Sequence, residues 1–173
     1  MKNFIWLGIL LFVIIGTAGC KRQTLDLDNP DVDLFVSMLK RGTYDLKNQS
    51  GVPVFPRFTE KDIPKLLKHA SDLSDIPSFP TIYNANGAKI RLGECMLWMV
   101  ESIRLGMPAS QGCHMVREDA ENYEAVFFLT DEEVLKAVER YEEWWKEAEQ
   151  ADPFFSLDPH YVNPLRNSGF RWW

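Results

Sequence analysis

The chain has 173 residues, 46 % of them hydrophobic and 13 % aromatic, with 25 acidic groups against 19 basic ones and a formal net charge of −6. Its length suits one domain that buries roughly two-thirds of its unfolded surface, and its six Trp rule out a disordered tail. The acidic balance excludes nucleic acid and anionic surfaces as natural partners.

The chain opens with Lys2, a mostly apolar run from Phe4 to Ile15, and then Gly16, Thr17, Ala18, Gly19 and Cys20. A helix needs about 20 apolar residues to cross a ~30 Å hydrocarbon core, so residues 1–19 read as a signal peptide. The Ala-Gly-Cys ending resembles the bacterial lipobox, in which the cysteine is acylated. Cys20 is therefore the expected lipidation (palmitate) site, and several acyl chains at ~0.8 kcal/mol per buried CH₂ hold such an anchor stably. Lys21 stands where Asp signals inner-membrane retention, so the expected destination is the outer membrane of a cell envelope, facing the periplasm or the exterior. Residues 20–29 read as a lipidated tether, and residues 30–173 as one domain.

Within that domain Asp31 or Asn29 is placed to cap a first helix whose Val32, Phe35, Val36 and Leu39 share a face and which Gly42 ends. A loop follows over "TYDLKNQSGVPVFPRF". Pro64 fits only a first turn, so the next regular helix starts near Asp62, with Thr59 to Lys61 as a preceding turn. "SDIPSFPTIYNANGAK" is a long connection holding Pro77, Pro80 and an Asn86-Gly87 turn, with Ile76, Phe79, Ile82 and Tyr83 to pack it down.

"RLGECMLWMVESIRLGM" is the next helix, stopped near Gly106-Met107-Pro108. Leu92, Met96, Met99, Val100 and Ile103 form its apolar side; Arg91, Glu94, Trp98, Glu101 and Arg104 lie on another. Glu94 and Glu101 are two turns apart, ~10.5 Å between Cα atoms. Side-chain flexibility brings their carboxyls toward the ~6.5–9.5 Å of an inverting glycosidase, which makes them the weak catalytic candidates. Arg91 and Arg104 each stand three residues from one of them and keep both ionised. The favoured reading is therefore a salt-bridged, solvated edge of a core helix.

Residues 120–129, including "NYEAVFFL", fit a strand or a short helix equally. The clearest element is "TDEEVLKAVERYEEWWKEAEQ". Thr130 and Glu133 form a capping box, Leu129 and Val134 a hydrophobic staple, and Glu132-Lys136 and Glu142-Lys146 are i,i+4 pairs. Its apolar stripe reads Val134, Val138, Tyr141, Trp145, Ala148, which puts Trp145 in the core and leaves Trp144 partly exposed. Asp152-Pro153 ends the helix, and an irregular, aromatic-rich tail wraps back. The fold class is mainly α: a single compact domain of about four to five helices with long Pro- and Gly-containing loops.

Candidate chemistry is sparse. Cys95 and Cys113 are a possible disulfide in an oxidising envelope. The loop after the helix must fold back ~15 Å to bring them together, so two separate thiols are favoured. His69, His114 and His160 make no HExxH or i,i+4 pattern, and the Cys113-His114-Glu118-Asp119 spacing matches no metal site. No metal and no cofactor is expected. Trp98, Trp144, Arg171, Trp172 and Trp173 are candidates for a binding surface, able to stack on sugar rings or anchor a protein.

The strings "FTEKDIPKLL", "IPSFP", "RLGECMLWMVESIR", "YEEWW" and "NPLRNSGFRWW" together resemble a family of small lipoproteins from Bacteroides-type bacteria, classed as a domain of unknown function. The likeness spans most of residues 29–173. "FPRFT" replaces a Leu-Pro start, Met99-Val100 stand where Thr-Ile often stand, and a serine-containing loop is represented only by "FPTIYNANG". The resemblance implies an envelope location and a compact helical domain, and brings no known activity, cofactor or catalytic residue. The expected function is thus an outer-membrane-anchored module that binds an envelope protein or glycan. The alternative is an envelope hydrolase of glycan or peptide using Glu94 and Glu101.

Overall fold

The computed structural model describes residues 24–77, 90–109, 114–119, 128–150 and 162–173. Expectations for the leader and Cys20, for Phe79, Ile82, Tyr83 and the Asn86-Gly87 turn, for Cys113, for most of residues 120–129, and for Ala151 to His160 lie outside them. In chain order the elements are α1 (Val32–Lys40), a 3-10 turn (Glu60–Asp62) running into α2 (Ile63–Lys68), α3 (Leu92–Leu105), β1 (Met115–Arg117), α4 (Asp131–Gln150) and β2 (Phe170–Trp172). Four α-helices and one small sheet make the described fold mainly α.

Local chemistry sets the boundaries. Of the two candidate caps for α1, Asp31 is the one used, accepting the Leu34 N–H at 3.0 Å. The helix stops where Gly42 takes a left-handed φ of 62°. Its predicted face of Val32, Phe35, Val36 and Leu39 is buried. Thr59 and Asp62 close a capping box over the 3-10 turn, and Pro64 sits in the first turn of α2, where its missing N–H costs nothing.

α3 is the hub, touching α1, α2 and α4. Its first turn is satisfied by backbone and not by a side-chain cap: Leu92 N–H donates to the Ser74 carbonyl at 2.9 Å and Gly93 N–H to the Asp72 carbonyl at 2.7 Å. Those bonds bring α3 so close to the end of α2 that a methyl group on Gly93 would lie 1.9 Å from the Ala70 oxygen. The far end closes on Gly106, φ 63°, with Gly106 N–H donating to Ile103 and Met107 N–H to Ser102. This is the paired-bond helix stop that a left-handed glycine allows.

The sheet is a departure from the sequence reading, which gave the tail as irregular. β1 and β2 pair antiparallel, with Met115 opposite Trp172 and Arg117 opposite Phe170, and Val116 also bridges Phe128. Three-residue strands are too short to show an alternation, and their partners are far apart in sequence. Met115 and Val116 are fully buried, so the pairing ties the C-terminal segment into the core.

Candidate functional site

The polar side chains of α3 do not form a solvated edge. Glu94 and Glu101 are only 5 % and 4 % exposed, which corrects the expectation of a wet rim. The helix is covered on nearly every side, because α1, α2, α4 and the sheet surround it. Each carboxylate therefore has to be satisfied internally, since a buried unpaired charge would cost several kcal/mol.

Glu101 is held by two side chains, one of which is itself held by a third. Arg104, one turn on, grips it with both ends of its guanidinium, Nε to Oε2 at 2.9 Å and Nη2 to Oε1 at 2.5 Å. The Tyr141 hydroxyl of α4 donates to Oε2 at 2.8 Å, and the Trp172 indole N–H of β2 donates to that hydroxyl at 2.8 Å. α3, α4 and β2 are thus joined in one chain of bonds that ends on the Glu101 carboxylate. Burial first, and then the Glu101 charge, push the Tyr141 phenol well above its ordinary pKa. The fork to Glu101 raises that of Arg104. Tyr141 stays a neutral donor and Arg104 a fixed cation.

Glu94 is placed differently. Its Oε1 accepts the Met115 N–H of β1 at 2.8 Å, and Arg91 and the His114 ring each approach it at 3.7 Å. Arg91 also reaches Asp131 at the start of α4. Set in the first turn of α3, the Glu94 charge also faces the positive end of the helix dipole. Both carboxylates are engaged by structural partners. The two acids are not brought together on a common reacting centre.

The aromatic candidates divide. Trp98 and Trp172 pack at 5.1 Å between ring centroids, and the Arg171 guanidinium lies 4.6 Å above the Trp173 ring. Arg171, Trp172 and Trp173, like Trp98, are partly buried, so half-exposed aromatic side chains gather about the end of β2 in two contacting pairs. Trp144 does not belong to them. It is 4 % exposed, edge-on to Tyr141 at 6.2 Å, while Trp145 is the partly buried one. The buried stripe on α4 runs Val134, Ala137, Val138, Tyr141, Trp144, which corrects the expectation of a partly exposed Trp144, while Trp145 packs against the border of the core.

Cys95 is a buried free thiol whose pKa burial raises. His69 hydrogen-bonds Asp33 at 3.1 Å, and His114 is buried beside Phe128. Among the described residues no three His, Cys, Asp or Glu side chains are grouped to hold a metal ion, and no helix is long and apolar enough to cross a membrane.

Some important partners escaped the sequence reading. Tyr141 and Asp131 each lie 40 residues from the side chain they bind, and Arg117 forks onto Glu133 at 2.8 and 3.1 Å. A tyrosine at a core position of α4 was the available signal, since a buried phenol must find an acceptor. A family model described as "Domain of unknown function (DUF4943)" matches residues 26–173. No curated protein and no solved structure matches the chain.

Proposed function

We propose that this chain, which belongs to the DUF4943 family, is a small envelope lipoprotein anchored through acylated Cys20 to an outer membrane. There it binds a protein partner through the edge made by Trp98, Arg171, Trp172 and Trp173. The observation that carries the reading is the fixed geometry of that edge. Trp172 is pinned by its hydrogen bond to Tyr141, and Arg171 is stacked on Trp173. Rigid Trp and Arg side chains lose little entropy on binding and dominate the energetics of protein interfaces. The lipobox-like "TAGC" supports the anchor.

The hydrolase alternative has no observation in its favour, because both of its carboxylates are buried in bonds that hold elements together. Two measurements test the proposal in the producing cell. Labelled palmitate should enter the wild-type chain and not Cys20→Ser, and the variant should leave the membrane fraction. Cross-linking in intact membranes should trap one defined partner with wild type, and Trp173→Ala should lose it at least about tenfold while remaining folded. A Cys20→Ser chain that stays labelled and bound, or a partner indifferent to Trp173, overturns it.

A further inference from the structure

A second feature lies apart from the aromatic edge, on the outer face of α4. Lys136, Glu139, Arg140 and Glu143 follow i, i+3, i+4, i+7 spacing and so share one side of the helix. Opposite them the chain turns through Asn167 and Phe170, and the two walls flank an open hollow of about 360 Å³. The turn is built to hold its shape. The Ser168 hydroxyl donates to the Leu165 carbonyl at 2.7 Å and accepts the Phe170 N–H at 3.0 Å, while Asn167 sits in the left-handed region at φ 60°. Asparagine is among the few residues that tolerate this conformation.

We propose that this hollow binds a neutral saccharide of one or two rings. The charges of the lining cancel, two cations against two carboxylates, so a phosphate or a free amine would find no net counter-charge. Arg140 and Glu143 pair with each other at 3.2 Å. Lys136, Glu139 and the Asn167 side chain make no hydrogen bond or ion pair among the described residues. They offer donors only, acceptors only and both, respectively. That mixture matches sugar hydroxyls, each of which donates and accepts at once. Phe170 supplies an aromatic residue in the wall, the usual partner for the apolar side of a pyranose ring. The volume is near the lower end of the about 300–1,000 Å³ found for small-molecule sites, right for a mono- or disaccharide and tight for a nucleotide.

The inference stands independently of the anchor and of the Trp173 edge. Saturation-transfer NMR on the full-length chain in detergent, with maltose, cellobiose and chitobiose as probes and glucose 1-phosphate as the charged comparison, tests it. At least one neutral disaccharide should receive saturation, with binding weakened at least about tenfold in both Asn167→Gly and Glu139→Gln. The first variant keeps the left-handed turn and removes only the amide; the second keeps the shape and exchanges one acceptor oxygen, with its charge, for an amide donor. Glu142→Gln, a neighbouring exposed position outside the hollow, should bind as wild type. Any other pattern overturns the proposal: no transfer to the neutral sugars, preference for the phosphate, or binding that survives either of the two variants. Loss of palmitate labelling or of a Trp173-dependent partner leaves this result untouched, so the two readings fail separately.

Discussion

α3 and α4 are the two longest described helices, and they use charge in opposite ways. α3 is buried on almost every side, and its acids are locked into bonds that join it to α4 and to the sheet. α4 buries one stripe and turns Glu132, Lys136, Glu142 and Lys146 to water, none of them within ion-pair distance of a partner among the described residues. The expected Glu132-Lys136 and Glu142-Lys146 bridges are absent, because holding two long side chains together in water gains little against their entropy. On the same helix Arg140 and Glu143 do pair, at 3.2 Å, so spacing permits an exposed pair without requiring one, whereas burial requires a charge to be paired.

The largest consequence falls on Glu101. Glu101→Ala would remove the carboxylate that the Arg104 guanidinium, 8 % exposed, grips and that the Tyr141 hydroxyl donates to. Breaking a buried pair from one side costs about 3–5 kcal/mol. Urea denaturation should show that loss, with Glu101→Gln losing less because an amide oxygen can still accept from Tyr141. A loss below about 1 kcal/mol for the alanine variant would mean that α3 behaves like the exposed face of α4, and the contrast would collapse.

Next comes the seam between α2 and α3. Gly93→Ala pushes a methyl into the Ala70 carbonyl, and overpacking of this kind costs about 3 kcal/mol. Gly106→Ala, in the same helix, meets no atom within 4 Å and suffers only for its φ of 63°, about 1 kcal/mol. Thermal unfolding of the two variants separates a steric requirement from a conformational one.

These two sites also mark how far the sequence could be read. The caps, the start of α2, the Gly106 stop and the amphipathic character of α4 were legible, because each depends on residues within one or two turns of each other. The neutralisation of Glu94 and Glu101 by Arg91 and Arg104 was legible for the same reason. Their burial was not, because the polar side that the periodicity gives packs on α4 and β1, through residues distant in sequence, and does not face water. Nothing local marks Gly93, whose need to lack a side chain comes only from the end of α2 packed against it. The sheet and the Tyr141–Trp172 bond depend on pairings across long loops, as does the hollow beside Asn167, which joins a helix face to a distant turn.

An intermediate case is Glu133, at the border between the two regimes. It completes the capping box with Thr130 and takes the Arg117 fork, which together with the cap hold its carboxyl at about 2 against an ordinary 4.5. Asp72, gripped by Lys40 and Ser74, is likewise lowered to about 2 from 3.8. A carboxylate depressed in the folded state stabilises fully above its unfolded pKa and loses that contribution as pH falls toward the folded value. Stability should therefore decline as pH drops from about 4.5 to 2. Glu133→Gln should lower it by about 1 kcal/mol at neutral pH and flatten the decline, as read from Tm against pH. A variant whose Tm falls as steeply as wild type would remove Glu133 from the account.

The smallest effect is also the sharpest test of the contrast. Glu142 and Lys146 have the ideal i,i+4 spacing and orientation for a helix ion pair, worth about 0.3–0.5 kcal/mol where it forms. Both are exposed and apart in this structure. A double-mutant cycle of Glu142→Ala and Lys146→Ala should give a coupling energy indistinguishable from zero, with each single change within about 0.5 kcal/mol of wild type. A coupling of about 0.5 kcal/mol would show that the i,i+4 pair forms in solution as the i,i+3 pair Arg140–Glu143 does in the structure. Repeating the cycle at high salt separates the two cases, since only a real exposed pair has anything for salt to screen.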